Sequence, residues 1–251
     1  MGITIHQFPC LSDNYGFLVR DDATGETATI DTPDAAAILR EVERTGWRLT
    51  RILNTHWHPD HAGGNAEVQA ATGAVIYGPE EVRRIGPLDH QVGDGDVVML
   101  GETRFDVLAT GGHTLGHITY HAPAEAVAFV GYTMFTMGCG RLFEGTPEQM
   151  WTSLSRLAAL PADTRVYSAH EYTLANARFA LTVDDDPAVA ARFDAVARKR
   201  DHGEPTVPTT IAEERATNPF LRAPQLAIAA DAVAPAEAFA RVRAAKDEFK
   251  G

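Results

Sequence analysis

Thr55-His-Trp-His-Pro-Asp-His61 sets three imidazoles and a carboxylate within the six positions from His56 to His61. The β-branched run Arg51–Thr55 leads into it, which places the cluster on a loop turning from a strand into a helix, where side chains can converge on one point. Neutral imidazoles suit a borderline ion such as zinc, or iron and manganese. Asp60 adds the negative charge that lowers the cost of holding two cations together. The alternative, a solvated turn that happens to be rich in histidine, is disfavoured by the density of the motif.

Further ligands must come from distant strand ends. His113 lies in Thr110-Gly-Gly-His-Thr-Leu-Gly-His117 and His170 in Ser168-Ala-His-Glu-Tyr172, each in a turn that follows a strand candidate. Alone, either would read as an ordinary loop histidine; the company of the first cluster makes both ligand candidates. His117 is a candidate supporting partner, whereas His6, His90, His121 and His202 have no motif around them and read as bystanders.

Short β-branched runs separated by glycines predict strands at Thr27–Asp31, Arg51–Thr55, Ala74–Tyr77, Phe105–Thr110, Ile118–His121, Ala126–Gly131 and Arg165–Ser168. Apolar residues at helical spacing predict helices over Asp34–Thr45 and Gly64–Thr72, and Thr146-Pro147-Glu148-Gln149 reads as a capped helix start with a first-turn proline. After His170 the chain becomes alanine-rich and helical, over Leu174–Val183, Pro187–Arg200 and Ala236–Lys250, with a proline-rich connection around Pro205–Pro208. The fold class is therefore α/β: a layered domain over residues 1–170 and a smaller helical domain over residues 171–251.

At 251 residues and 45% hydrophobic content the chain suits an ordinary globular core, and no solenoid repeat or low-complexity tract interrupts it. A formal net charge of −12 argues against a nucleic-acid partner, and a small anionic substrate would need a local basic patch. No signal-like segment opens the sequence and no apolar run is long enough to span a membrane, so a soluble, unprocessed protein is expected. Only Cys10 and Cys139 occur, far apart, which fits a reducing cytoplasm without disulfides.

Through Thr55-His-x-His-x-Asp-His61, Gly-His113-Thr and His170, the sequence resembles the metallo-β-lactamase superfamily. Gly138-Cys-Gly-Arg-Leu-Phe-Glu-Gly145, Ala169-His-Glu-Tyr-Thr173 and Arg243-Ala-Ala-Lys-Asp-Glu-Phe249 are similar to segments of glyoxalase II, the hydroxyacylglutathione hydrolases. The resemblance runs end to end. It implies an αββα sandwich followed by an α-helical domain, and a monomer that uses two divalent ions, zinc before iron or manganese. His56, His58 and His113 match one metal's ligands, and Asp60, His61 and His170 the other's. The substrate it implies is a glutathione thioester such as S-lactoylglutathione, cleaved to glutathione and a 2-hydroxy acid by metal-bound hydroxide, in methylglyoxal detoxification. Glutathione contacts map onto Arg141, Phe143, Tyr172, Asn176, Arg243 and Lys246, where Phe143 stands for a residue that can be tyrosine in relatives. No side-chain nucleophile is needed, so Ser168 and Cys139 are not recruited.

The catalytic positions implied are Asp60 and residue 132, and at the second the sequence departs from the family. An aspartate that bridges both ions is expected there, and Tyr132 replaces it. A carboxylate offers two oxygens and a full charge; a phenol offers one oxygen, with a proton that leaves near pH ~10. Such a ring must project into the metal cavity or turn away, and incomplete metal loading with impaired hydrolysis follows. A second departure is Gly112, where relatives commonly have proline. Two alternatives remain: a persulfide dioxygenase-like enzyme on the same fold, and a glutathione-conjugate or metal-binding protein whose catalytic centre has decayed. Tyr132 favours the latter, while the dioxygenase chemistry also uses the missing aspartate.

Overall fold

A computed structural model describes residues 2–250. Its first sheet begins with an antiparallel hairpin, β1 (Ile3–Cys10) and β2 (Asn14–Asp21), in which Ile3 lies opposite Asp21 and Cys10 opposite Asn14. β3 (Glu26–Ile30) joins β2 antiparallel, and from there the sheet is parallel through β4 (Arg48–Leu53), β5 (Val75–Gly78) and β6 (His90–Gln91). Parallel neighbours cannot be joined by a tight turn, so each step needs a crossover. Helix α1 (Ala35–Thr45) fills the first, and α2 (Pro59–Ala62) with α3 (Asn65–Thr72) fills the second. The histidine cluster therefore falls in the crossover that leaves the carboxyl end of β4, the end of a parallel sheet where sites are usually built.

Local signals explain the crossovers. The Asp34 side chain caps α1 by accepting from the Ala37 N–H, and Gly46 ends it in the left-handed conformation. The buried face of α1, with Ile38, packs with Leu18, Ile52, Val68 and Ile76 into one apolar cluster beneath the first sheet. β7 (Val97–Leu100), β8 (Thr103–Ala109), β9 (Ile118–Ala122) and β10 (Val127–Gly131) form an antiparallel run. Every residue of β9 and β10 is buried, as expected of strands covered on both faces. The Phe129 ring lies 5.7 Å from Phe17 of β2 and 6.4 Å from Phe105 of β8, so an aromatic seam joins the two sheets.

These elements, up to Ala109 and over Gly116–Gly131, make one compact unit; Thr110–Leu115 and the chain from Tyr132 onward make another. The second unit contains a small hairpin, β11 (Met134–Phe135) with β12 (Gly138–Cys139), and a pair formed by β13 (Arg165–Ser168) and β14 (Thr209–Thr210). Its helices are α4 (Pro147–Ala158), α5 (Thr173–Val183), α6 (Pro187–Asp201), α7 (Ile211–Thr217) and α8 (Pro235–Glu248). α4 starts with the reciprocal Thr146/Gln149 capping box that its sequence announces. Met137, Ala177, Ala180, Val189 and Val196 share a buried cluster in which α5 and α6 meet. No helix among the described residues is long and apolar enough to cross a membrane.

All seven expected strands are present within a few residues of their predicted bounds, whereas β1, β2 and β7 lack a clean apolar alternation and are legible only in the structure. Replacing Phe129 with alanine removes the centre of the seam. Phe129→Ala should cost about 3–5 kcal/mol of stability in urea unfolding; a loss below about 1 kcal/mol would contradict this account of the sandwich.

Candidate metal centre

Asp31 follows β3 with a positive φ of 58°, a conformation that a residue bearing a side chain seldom adopts without support. Its carboxylate supplies the reason. Oδ1 accepts from the Thr55 N–H at 2.7 Å, and Oδ2 accepts from Thr55 Oγ1 at 2.8 Å and from His61 Nδ1 at 2.9 Å. Thr55 Oγ1 has one proton, and it is given to Asp31. At its 3.0 Å contact with His56 Nδ1 the hydroxyl must therefore accept, which fixes the proton on Nδ1 and leaves the His56 Nε2 lone pair facing away.

That Nε2 stands 3.2 Å from His58 Nδ1. His61, held from behind by Asp31, turns its own Nε2 towards Asp60 Oδ2 at 3.4 Å, and Asn14 Nδ2 steadies Asp60 from 3.3 Å. Burial opposes charging of His61, but its bonds to Asp31 and Asp60 and their negative charge prevail and raise its pKa to about 9. A proton thus occupies the space between an imidazole and a carboxylate that a divalent cation can fill instead. His117, buried, stacks on His56 at 4.9 Å.

Asp31, His56 and His61 bring one potential donor atom each within 4.8 Å. Asp31 nevertheless orients rather than ligates, because its oxygens are committed to Thr55 and His61. No sequence motif surrounds Asp31. The available signal was its place at the end of a strand, level with the strand that delivers the histidines.

In the second unit, His113 is buried and its Nδ1 donates to the Arg141 carbonyl at 2.8 Å, which again leaves Nε2 as a lone pair. Its loop is shaped by Gly112. At φ +143° this residue adopts a conformation closed to proline, and its N–H, which proline lacks, donates to Thr114 O at 2.9 Å. Tyr132 does not turn away. Its ring stacks on His113 at 3.9 Å and 16°, and meets Phe135 edge-on at 4.7 Å and His170 at 5.0 Å. His170 stacks in turn on Tyr172 at 4.8 Å. Gly140 is required beside this cluster, since a Cβ there would strike the Tyr132 carbonyl and ring. The phenol thus packs on both imidazoles that sequence reading singled out in this part of the chain.

The candidate glutathione contacts also lie in the second unit. Arg141 is exposed, with Nε 3.7 Å from Asp247. Arg243 is buried over the Phe220 ring, donating from Nη1 to Cys139 O at 3.1 Å and from Nη2 to Asp247 at 2.9 Å. Lys246 donates to Ala175 O at 3.0 Å between the rings of Phe179 and Phe249. Burial, then the charges of Arg243 and Arg141, lower the Lys246 pKa to about 8. Phe143 is exposed, 5.1 Å from the His113 ring, and the buried Asn176 donates to Thr136 O at 3.2 Å. A local cationic cluster therefore exists in this acidic protein.

A two-sheet sandwich with histidines on the loop after a parallel strand is the architecture of metal-dependent hydrolases of the metallo-β-lactamase type. The metallo-beta-lactamase superfamily profile matches residues 22–170, and the hydroxyacylglutathione hydrolase C-terminus profile matches residues 171–249. A hydroxyacylglutathione hydrolase of Erythrobacter litoralis is 53% identical over 98% of this chain and 100% of its own, and one of Maricaulis maris is 56% identical over 98% and 99%. The chain belongs to the hydroxyacylglutathione hydrolase family. Among solved structures, ETHE1 from Myxococcus xanthus matches with a TM-score of 0.70 and 27% identity over 96% of this chain and 90% of that one. The BLEG-1 B3 metallo-beta-lactamase, at 23% identity and a TM-score of 0.68 over 87% and 99%, shares the fold.

Asp31→Asn keeps the shape of the side chain but puts a donor or a weaker acceptor where Thr55 and His61 both donate. Metal affinity, measured by competition with a chelator, should fall about 10- to 100-fold. Unchanged affinity would remove Asp31 from the role assigned to it.

Proposed function

We propose that the protein hydrolyses S-(2-hydroxyacyl)glutathione thioesters, S-lactoylglutathione among them, and that Tyr132 impairs this reaction. The observation that carries the reading is full-length identity of 53% and 56% to relatives named hydroxyacylglutathione hydrolase. The cationic cluster on the matched C-terminal segment supports it. Residues 1–170 supply the metal-binding half and residues 171–251 most of the substrate-binding half. One copy of the chain suffices, acting in a reducing cytoplasm where buried, free Cys10 and Cys139 stay thiols.

His56, His58 and His113 would hold one divalent ion and Asp60, His61 and His170 the other, with zinc favoured by the imidazole-rich set and iron or manganese compatible with it. Such ions supply Lewis acidity and lower the pKa of water from 15.7 towards about 7. The chain's own part is orientation: Asp31 and Thr55 present His56 and His61, and the Arg141 carbonyl presents His113. Arg141 and Lys246 receive carboxylates of the glutathione moiety, backed by Arg243, whose buried Nε has no hydrogen-bond partner among the described residues. Tyr172 and Phe143 complete the proposed contacts.

At residue 132 the donor set does not fit two ions. The phenol brings a single oxygen in place of a bridging carboxylate, on a ring already packed against His113 and His170. A second reading, a glutathione-conjugate binder without turnover, is favoured by this feature alone. The relatives' names give no comparable support to a persulfide oxygenase.

Tyr132→Asp should raise both metal content and S-lactoylglutathione hydrolysis, the latter by about 10²-fold or more. Binding of the thioester with no turnover in either chain would support the binder and sink the hydrolase. Because Lys246 loses its proton near pH 8, calorimetric affinity for the thioether S-methylglutathione should fall as pH rises through that value. Lys246→Arg, always charged, should flatten the profile; an unaltered profile in that variant would exclude Lys246 as the group responsible.

A further inference from the structure

The β11/β12 hairpin follows Tyr132 and precedes Arg141, and it consists of two residue pairs, too few to hold a fixed shape alone. Its turn places Met137 at φ +56°, an unfavourable backbone conformation for a residue with a side chain, which persists when the surroundings impose it. Three buried polar side chains from the following helices do so. Glu214 Oε2 accepts from the Met137 N–H at 2.8 Å. Asn218 Nδ2 lies 2.9 Å from Gly138 O and 3.3 Å from Phe135 O, and Asn176 Nδ2 donates to Thr136 O at 3.2 Å.

Glu214 and Asn218 are fully buried. The Glu214 carboxylate is satisfied on both oxygens: Arg192 Nη2 at 2.9 Å and Thr209 Oγ1 at 2.7 Å on Oε1, Asn218 Nδ2 at 2.8 Å with Met137 N on Oε2. Apolar filler would pack this space, but it would not specify where the turn sits. Directional bonds to an N–H and to carbonyls of the turn do.

We infer that Glu214, Asn218 and Asn176 are a positioning clamp: by fixing the hairpin Met134–Cys139 they determine where the side chain of residue 132 and the backbone of Arg141 stand. The consequence reaches His113, because the Arg141 carbonyl is the acceptor that sets the His113 tautomer. Its importance for metal binding rests on the proposed hydrolase reading; the clamp itself does not. Asn176, which the family resemblance matches to a glutathione contact, here bonds the hairpin backbone, and no sequence motif marks Glu214 or Asn218.

Hydrogen exchange on peptides covering residues 132–141 tests the clamp in the chain as it stands. Asn218→Ala, and the isosteric Glu214→Gln in case the first variant folds poorly, should each speed exchange there about tenfold or more while α5, α6 and α8 keep their protection. Retained protection in the hairpin, or equal loss throughout the helices, would overturn the proposal. In the Tyr132→Asp chain, Glu214→Gln should also weaken Co²⁺ binding about tenfold or more, followed by its visible absorption; unchanged affinity would overturn positioning. If Tyr132→Asp takes up no cobalt, the two-metal reading fails, and the exchange experiment still decides the clamp.

Discussion

The carboxylate of Asp31 is the contact on which the metal half of the site depends. Three hydrogen bonds converge on it, two from Thr55 and one from His61, and each carries orientation onward: Thr55 to His56, His61 to Asp60. An imidazole free to rotate presents a lone pair or a proton at random. Held from behind by a carboxylate or a carbonyl, it presents a lone pair in one direction, which is what a cation requires. His113 obtains the same orientation from the Arg141 carbonyl. Histidines in two separately built parts of the fold are thus prepared for the same chemistry by the same device.

Residue 132 breaks this pattern. His56, His61 and His113 are each held by a hydrogen bond that orients the ring, whereas Tyr132 stacks on His113 and meets Phe135 and His170 edge-on. The ring substitutes apolar contact for charge. Beside it, His113 bonds the Arg141 carbonyl and the Met137 N–H bonds Glu214.

Much of this was legible in the sequence. The interval from Thr55 to His61 marked the strand-to-helix crossover and a histidine cluster that could hold a metal, and the matching segments near Arg141, His170 and Arg243 marked the family. Asp31, Glu214 and Asn218 were not legible, because their roles arise from pairing across 24, 77 and 80 positions of sequence. No local pattern marks an acceptor whose partner is that distant. The strands β1 and β2 escaped for a related reason: their mixed polarity reflects packing against other elements rather than a simple alternation, while β7, Val-Val-Met-Leu, is a short apolar run with no polar residue to alternate with. Arg243 was legible as a cation but not as a buried one, since burial depends on Phe220 and Asp247.

The central claim is that the histidine scaffold is intact while the ligand needed between two ions is missing. The metal content of the purified chain, measured by mass spectrometry after equilibration with zinc and exhaustive dialysis, tests it most directly. Fewer than two retained ions per chain is the result the account predicts. Two tightly held ions per chain, with rapid turnover of S-lactoylglutathione, would contradict it.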